Sequence, residues 1–376
     1  MLRPAPHRPV GTRPTRLRQV DAMRVLTCVC VVAVHVVANT NRPGSAAAGG
    51  VAVLLHHSRE VFFFVTSLVL VHRYRSHPPA PGPFGRHRLA VIGIPYLLWT
   101  LVYLLAAGES PLRLPFALAA GTGWYHLYFL LACLQFSLVF PWFLRLLRAM
   151  DGRYGRLLAV SFVLQLATLV MYQRFWMPVD LDRVWAGESS LPAYQFWLVA
   201  GGVAAMRLER FDALVRRHAR LIVALVVVAA VVAEAAYWAA LRAGAGPDGA
   251  AQTLQPVTVV WAVPALLGTY LLASACPAVL DPLVRHGARL SFGVYLTHPL
   301  LLRVFWRYLR LLAAPAAART AIAFVATLAA ATALAALANR TPLSLPLIGR
   351  SRYRRQAMPR VPTTSRPGPR SVTLGL

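Results

Sequence analysis

Long apolar segments recur along most of this chain, and most of them are long enough to cross a lipid bilayer as a helix. A helix needs about 20 predominantly apolar residues to span the hydrocarbon core. The chain has 376 residues and is 58% hydrophobic, so it belongs with membrane proteins rather than soluble domains. We place ten candidate spans near residues 20–39, 51–72, 89–107, 124–144, 157–172, 191–206, 221–241, 253–275, 290–306 and 320–338. The sequence therefore predicts an all-α fold, a polytopic bundle of about ten transmembrane helices.

The arginines predict how the chain is oriented in the membrane. With the N-terminus in the cytoplasm, most of them fall in cytoplasmic segments, as the positive-inside rule requires. Ten spans then return the C-terminus to the cytoplasm. We expect a basic cytoplasmic arm over residues 1–19, a membrane domain over 20–340, and a disordered tail over 341–376 that is rich in Arg, Pro and Ser and contacts membrane lipids. The predicted location is the plasma membrane, which the chain crosses many times.

The net charge of +27, carried entirely by arginine, could also indicate a nucleic-acid-binding protein. The arginines, however, lie between apolar segments and not on one continuous basic face. We therefore predict no nucleic-acid partner. The four cysteines make no Cys-x-x-Cys pair, so the sequence indicates neither a disulfide framework nor a metal site.

The first apolar segment holds two ionisable side chains at membrane depth, Arg24 and His35. Such groups are costly in a bilayer unless they are paired or hydrated, so each is a functional candidate. Their spacing of eleven residues puts both on one face of a helix, about 16 Å apart along the axis. Asp21, one turn before Arg24, is the predicted ion-pair partner of that arginine. The alternative for Arg24 is an interfacial anchor whose charged end reaches the lipid surface.

The second segment begins with a further group of polar side chains, His56, His57, Arg59 and Glu60. We expect them at a depth similar to that of His35, across a short loop. An imidazole that is neutral near physiological pH suits general-base work, and a nearby carboxylate can orient it. Glu60 is the predicted orienting residue. In the alternative interpretation, Arg59 and Glu60 pair with each other and only stabilise the fold.

A basic cluster, Arg86, His87 and Arg88, precedes the third segment. Such clusters commonly do no more than set the orientation of a membrane helix. Guanidinium groups also match phosphate oxygens, so the same cluster could bind phosphates that arrive from the cytosol. Charge alone does not decide between these two interpretations.

Two later segments add further candidates. His126 and Tyr128 open the fourth segment within a group of aromatic residues, which is typical of a membrane interface and can also stack on sugar rings. His298 lies near the middle of the ninth segment and is followed by Pro299, which frees backbone groups at that depth. His298 could be a hydrogen-bonding packing element or a catalytic residue.

Taken in order, these residues resemble the signature of membrane-bound acyltransferase family 3, over about residues 17–340. The family has an Arg and a His separated by ten residues in its first helix, here Arg24 and His35. Its second-helix motif is Phe-Phe-x-x-Ser-Gly-Phe-Leu, and here Thr66 and Ser67 replace Ser-Gly, which puts a tight glycine contact at that point in doubt. The remaining matches are Arg86 and Arg88 before Pro95 and Tyr96, His126 to Leu130, and the group Leu290, Ser291, Phe292, Gly293, Tyr295, Leu296, His298 and Pro299.

The resemblance implies ten core helices and an acyl-CoA donor, with acetyl-CoA expected, taken from the cytosol. It implies that His35 acts on the acceptor hydroxyl or carries the acyl group, and that Arg24 belongs to the same essential pair. It also links Arg86 and Arg88 with donor binding. Several relatives carry a further hydrolase-like domain that completes transfer, so this chain either finishes the reaction alone or uses a separate extracytoplasmic transferase.

The predicted function is O-acylation of a hydroxyl on a cell-surface glycan or exopolysaccharide. One alternative differs only in the acceptor, a macrolide-type secondary metabolite, and neighbouring genes would separate the two. A second alternative, from another class, is a glycan exporter. The sequence shows no duplicated halves with matched broken helices, a pattern that many transporters have, and this favours the enzyme.

Overall fold

The protein is described here by a computed structural model that covers residues 16–176 and 187–350. Within these ranges the regular structure is helical throughout and contains no strand, so the predicted all-α fold is confirmed. The α-helices are α1 (Arg18–Thr40), α2 (Ala46–Leu55), α3 (His57–Tyr74), α4 (Pro81–Arg88), α5 (Ile94–Ala107), α6 (Leu114–Ala120), α7 (Tyr128–Ala149), α8 (Tyr154–Met171), α9 (Gln195–Met206), α10 (Leu208–Arg217), α11 (Ala219–Arg242), α12 (Pro247–Ala250), α13 (Pro256–Ser274), α14 (Asp281–Leu309), α15 (Ala316–Ala338) and α16 (Ser344–Ile348).

All ten predicted spans coincide with helices, and eight of them are long and apolar enough to cross a membrane. The other two spans correspond to α9, which has only 12 residues, and to α14. Helix α14 has 29 residues, but several arginines interrupt its apolar sequence. The chain is a multi-pass membrane protein. The cytoplasmic placement of its termini stays a prediction, and residues 1–15 and 351–376 lie outside the described ranges.

Several helix boundaries differ from the predicted ones. The second span is broken at His56, where α2 ends and α3 begins. The fourth helix does not start at Trp124, because residues 124–127 form turns and α7 begins at Tyr128. The third span is entered through α4 and a π-helical segment, Leu89–Gly93. The average hydropathy of a membrane-length segment does not register such local breaks.

The predicted disordered tail from residue 341 is wrong for its first part. Residues 344–348 form α16, whose Ile348 is 2% exposed. The indole N–H of Trp99 donates to the carbonyl of Leu347 at 3.0 Å. A short apolar segment, Leu-Ser-Leu-Pro-Leu-Ile, is therefore held against the bundle even though the composition around it is typical of disorder.

Helix α1 lies inside the bundle, against α3, α13, α14 and α15. Helices α3 and α9 approach each other closely, because a Cβ on Gly201 would lie 2.2 Å from the carbonyl oxygen of Phe64. A glycine on α9 thus permits close packing against Phe64 of α3. Small residues commonly permit such close packing of membrane helices.

Candidate active site

Two cavities meet along α1. We call the first the arginine cavity: it has a volume of about 260 Å³ and is lined by Arg24, Arg88 and Arg350 together with Thr66 and apolar side chains. The second, the histidine cavity, has a volume of about 370 Å³ and is lined by His35, His56 and His126 among others. The face of α1 that was predicted to carry both Arg24 and His35 thus runs from one cavity to the other, with Arg24 in the first and His35 in the second.

The arginine cavity carries positive charge with no acid on its wall. No Asp or Glu of the described residues lines it. The Nε of Arg88 donates to the hydroxyl of Ser137 at 3.1 Å, which leaves the charge of the guanidinium uncompensated. Of the predicted donor-binding pair, the structure places Arg88 in the cavity, whereas Arg86 is exposed and absent from the lining.

The predicted ion pair between Asp21 and Arg24 is wrong. The carboxylate of Asp21 accepts from Nε of Arg16 at 2.6 Å, and the same arginine binds Asp281 at 2.9 Å. Among the ion pairs of the described residues, none includes Arg24. Asp21 is bound by Arg16, which precedes the start of α1, whereas Arg24 lines the cavity.

The histidine cavity brings together imidazoles from three separate helix regions. The ring of His35 lies 5.3 Å from that of His298 and 4.7 Å from that of Tyr125, measured between centroids. The ring of His126 lies 5.6 Å from that of His298. Tyr125 is 40% exposed, so the cavity is open at this end. Of the two predicted candidates, His126 lines the cavity, whereas His298 does not line it and packs against the rings of His35 and His126.

The position of His298 follows from the proline that succeeds it. Pro299 has no N–H and cannot donate to the carbonyl of Tyr295, four residues earlier. The Nδ1 of His298 donates to that carbonyl at 2.8 Å instead. Its Nε2 has no hydrogen-bond partner within the described part of the chain. A ring that donates from Nδ1 is either the neutral tautomer with a lone pair on Nε2 or the cation, and the neutral form makes Nε2 an acceptor beside His35.

The helix around Pro299 is contacted by Tyr103 of α5. Its hydroxyl donates to the carbonyl of Leu296 at 2.8 Å and accepts from the N–H of Leu300 at 3.3 Å. A side chain inserted in this way is a common cause of an interrupted helix ladder. The hydroxyl of Tyr295 donates to the carbonyl of His126, which ties α14 to the start of α7.

Arg59 and Glu60 pair with each other, as the alternative interpretation proposed. Two nitrogens of Arg59 donate to Oε1 of Glu60, at 2.6 and 3.0 Å, and both side chains are buried. Arg59 also lies 3.5 Å from Glu188, whose carboxylate accepts from the hydroxyl of Thr253. The carboxylate of Glu60 is thus bound by Arg59, and the ring contacts of His35 are with Tyr125 and His298. This geometry gives Glu60 no orienting contact with His35, and a catalytic role of Glu60 stays a prediction.

The other predicted residues divide between the cavities. His56 and Tyr128 line the histidine cavity, and Thr66 lines the arginine cavity. Ser67 is fully buried and faces neither. Sequence reasoning missed Arg350 and Glu188 as lining residues. The first follows a short apolar segment within an arginine-rich tail, and the second lies in a connecting segment, so no local pattern identified either.

Three aromatic rings separate the cavities and line both of them, Phe62, Phe129 and Tyr295. Their centroids lie 5.6 Å apart for Phe62 and Phe129, 5.5 Å for Phe129 and Tyr295, and 6.4 Å for Phe62 and Tyr295. We call this group the aromatic partition. Each of its three side chains thus belongs to the wall of both cavities.

A family model described as an acyltransferase domain matches residues 17–338 of the chain. Neither the comparison with curated proteins nor the comparison with solved structures found a match. The matched range includes α1 to α15 and all the lining residues named above except Arg350.

Proposed function

The chain belongs to acyltransferase family 3, and from this we propose that it is an integral-membrane O-acyltransferase of the plasma membrane. In this proposal it moves an acyl group, which we take to be acetyl, from acyl-CoA to a hydroxyl of a cell-surface glycan or exopolysaccharide. The observation that supports it most directly is the course of α1, which contributes Arg24 to one cavity and His35 to the other.

The arginine cavity is the proposed donor site. Guanidinium groups bind phosphate through paired, charge-assisted hydrogen bonds, and Arg24 and Arg88 meet there without an acidic partner. Acyl-CoA is elongated, with its phosphates at one end and its thioester at the other. Phosphates bound near Arg24 leave the thioester free to extend toward His35, about 16 Å away along the helix axis.

The histidine cavity is the proposed site of chemistry. His35 takes the proton from the acceptor hydroxyl as a general base. The hydroxyl oxygen forms a new bond to the thioester carbonyl carbon, the carbon–sulfur bond breaks, and CoA leaves as a thiolate that takes up a proton. His298 supports this step by packing against the ring of His35.

A sugar hydroxyl suits the open end of the histidine cavity. Tyr125 and Asn39 are both exposed there and line it. An aromatic face that packs on a sugar ring, beside an amide that binds hydroxyls, is a chemically suitable pair for such an acceptor. Glu60 and Glu188 together compensate the charge of Arg59 nearby, so this arginine does not require an anionic ligand. If transfer requires a further step outside the membrane, a separate extracytoplasmic transferase would supply it.

Transfer of a labelled acetyl group tests the proposal. Membranes that contain the wild-type protein, His35→Ala or the matched control His87→Ala, at equal expression, would be given acetyl-CoA labelled in the acetyl group. His87 is exposed and outside both cavities. We expect label in a glycan- or lipid-linked product, or released as acetate, with the wild type and His87→Ala but not with His35→Ala.

Two results would contradict this assignment. Equal consumption of the donor by His35→Ala and the wild type would remove His35 from the chemistry. No consumption of acetyl-CoA or longer acyl-CoAs by the wild type, with glycan acceptors present, would remove the donor assignment and favour a glycan exporter. An acyl group trapped on His35 would keep the enzyme but make this residue an acyl carrier.

A further inference from the structure

We propose that Arg350 binds the phosphates of the donor together with Arg24 and Arg88. Arg350 lies beyond the residues that match the family, 17–338, yet it lines the arginine cavity. The inference rests on the proposed function, because it takes the ligand of this cavity to be the phosphate-bearing end of acyl-CoA. It assigns a binding role to residues 344–350, which we call the C-terminal strap.

The strap is fixed to the bundle on two sides. The indole of Trp99 on α5 donates to the carbonyl of Leu347 at 3.0 Å. On α14, Gly293 leaves space for the strap, since a Cβ there would lie 2.7 Å from Cγ2 of Ile348. Any larger residue at position 293 would displace the strap, so this glycine is required by the contact itself.

The end of the strap follows a path that suits glycine. Gly349 has φ +65°, in the left-handed region that disfavours other residues, and a Cβ there would lie 2.4 Å from the carbonyl oxygen of Val91. Its N–H donates to the carbonyl of Leu345 at 2.9 Å, and the N–H of Arg350 donates to that of Ser344 at 3.2 Å. These bonds end α16 in a defined turn. The turn brings Arg350 to the cavity next to the π-helical segment that follows Arg88.

The charges that line the cavity favour the binding of an anion. Burial lowers the pKa of the Arg350 guanidinium, the charges of Arg24 and Arg289 lower it further, and Asp21 acts in the opposite direction. No acid of the described residues lines the cavity to balance the three arginines. Three guanidinium groups around one space can together bind the several oxygens of a diphosphate, which a single arginine cannot do.

Donor binding in nanodiscs of neutral phosphatidylcholine, whose lipids carry no net charge that could compete, tests the inference. The probes are CoA and pantetheine, which share the thiol arm, whereas pantetheine lacks the phosphates together with the adenosine. The variants are Arg350→Ala, Arg350→Lys and the matched control Arg340→Ala, an exposed arginine ten positions earlier in the chain and outside the cavity. We expect Arg350→Ala to weaken CoA binding roughly tenfold, as for loss of one hydrogen bond between charged groups. Pantetheine binding should be unchanged.

The comparison of probes separates ligand binding from a structural effect. Arg350→Lys should lose less than Arg350→Ala, because it keeps the charge but not the planar fork. An equal loss for CoA and pantetheine would overturn the inference and make the strap a packing element only. Equal CoA binding by Arg350→Ala and Arg340→Ala would also overturn it. If the wild type binds neither probe, the proposed function itself fails.

Discussion

The two cavities on α1 differ in whether their arginines have acidic partners within the protein. In the histidine cavity, Arg59 is bound by Glu60 at 2.6 Å and lies 3.5 Å from Glu188, so the positive charge is compensated inside the protein. In the arginine cavity, Arg24, Arg88 and Arg350 share a space with no acid on its wall. A buried charge that lacks an internal partner is costly. In our proposal, the charge of the first cavity is balanced by the protein itself, whereas that of the second is balanced by the anionic donor.

Removal of Glu60 should have the largest effect, because it removes the acid that binds Arg59 at 2.6 Å and leaves only Glu188, at 3.5 Å, near this buried arginine. We expect Glu60→Ala to lower the free energy of unfolding by about 3–5 kcal/mol, the cost of breaking a buried ion pair from one side. Thermal unfolding in detergent measures this. Glu109→Ala is the matched control, since Glu109 forms an exposed pair with Arg113 and should cost at most about 1 kcal/mol. Equal stability of the two variants would show that Arg59 is solvated and that the cavities do not differ as described.

The second prediction contrasts two arginines that the sequence could not separate. Arg88→Ala should raise the KM for acetyl-CoA by roughly tenfold to a hundredfold, as for loss of a charge-assisted hydrogen bond. Arg86→Ala should leave it near the wild-type value, because Arg86 is exposed outside the cavity. Steady-state kinetics over a range of donor concentrations measures both. A larger effect for Arg86 would restore the sequence-based assignment and contradict the structural one.

The third prediction concerns His298, which caps the carbonyl of Tyr295 and packs against His35. His298→Asn keeps a side-chain N–H that can donate to this carbonyl but removes the ring and its Nε2. We expect turnover to fall, but by less than the roughly 10²–10⁴-fold that is typical when a general base is lost. The thermal stability should stay near the wild-type value. A pH–rate profile of the variant would separate the roles. An unchanged turnover would make His298 only a packing element.

The smallest expected effect is at Asp281, the first residue of α14. The hydrogen bonds from Arg285 and Arg16 lower the pKa of the Asp281 carboxyl. The charged form is thus favoured in the folded protein, and this stabilisation is present above the ordinary pKa and is lost as the pH falls through the lowered one. Thermal unfolding should therefore show Asp281→Asn less stable than the wild type at pH 7, with the difference smaller near pH 3. A difference that does not change with pH would contradict this account.

The sequence could predict the helices and each of the candidate histidines, although not that His35, His126 and His298 lie against one another. Arg24 and His35 stood out because ionisable groups at membrane depth are costly, and His298 stood out through Pro299. The order of motifs placed them in one family, and the match over residues 17–338 confirms that family. Local pattern and composition were enough for these features, because each depends on residues that lie close together in the chain.

Partners from distant parts of the chain could not be predicted in this way. Asp21 was assigned to Arg24 from helical spacing, but Arg16 takes it, together with Asp281, which is 265 positions away from Arg16. Arg350 reaches the cavity through contacts with Trp99 and Gly293, far earlier in the chain. Spacing within one helix gives no information on which distant side chain competes for a charge.

The central claim is that donor binding and chemistry are divided between the two cavities, and equilibrium binding of acetyl-CoA to inactive variants tests it most directly. We predict that His35→Ala binds acetyl-CoA as tightly as the wild type while transferring nothing. We also predict that Arg88→Ala binds it weakly but recovers its turnover at saturating donor. Loss of donor binding by His35→Ala to the same extent as by Arg88→Ala would contradict the division.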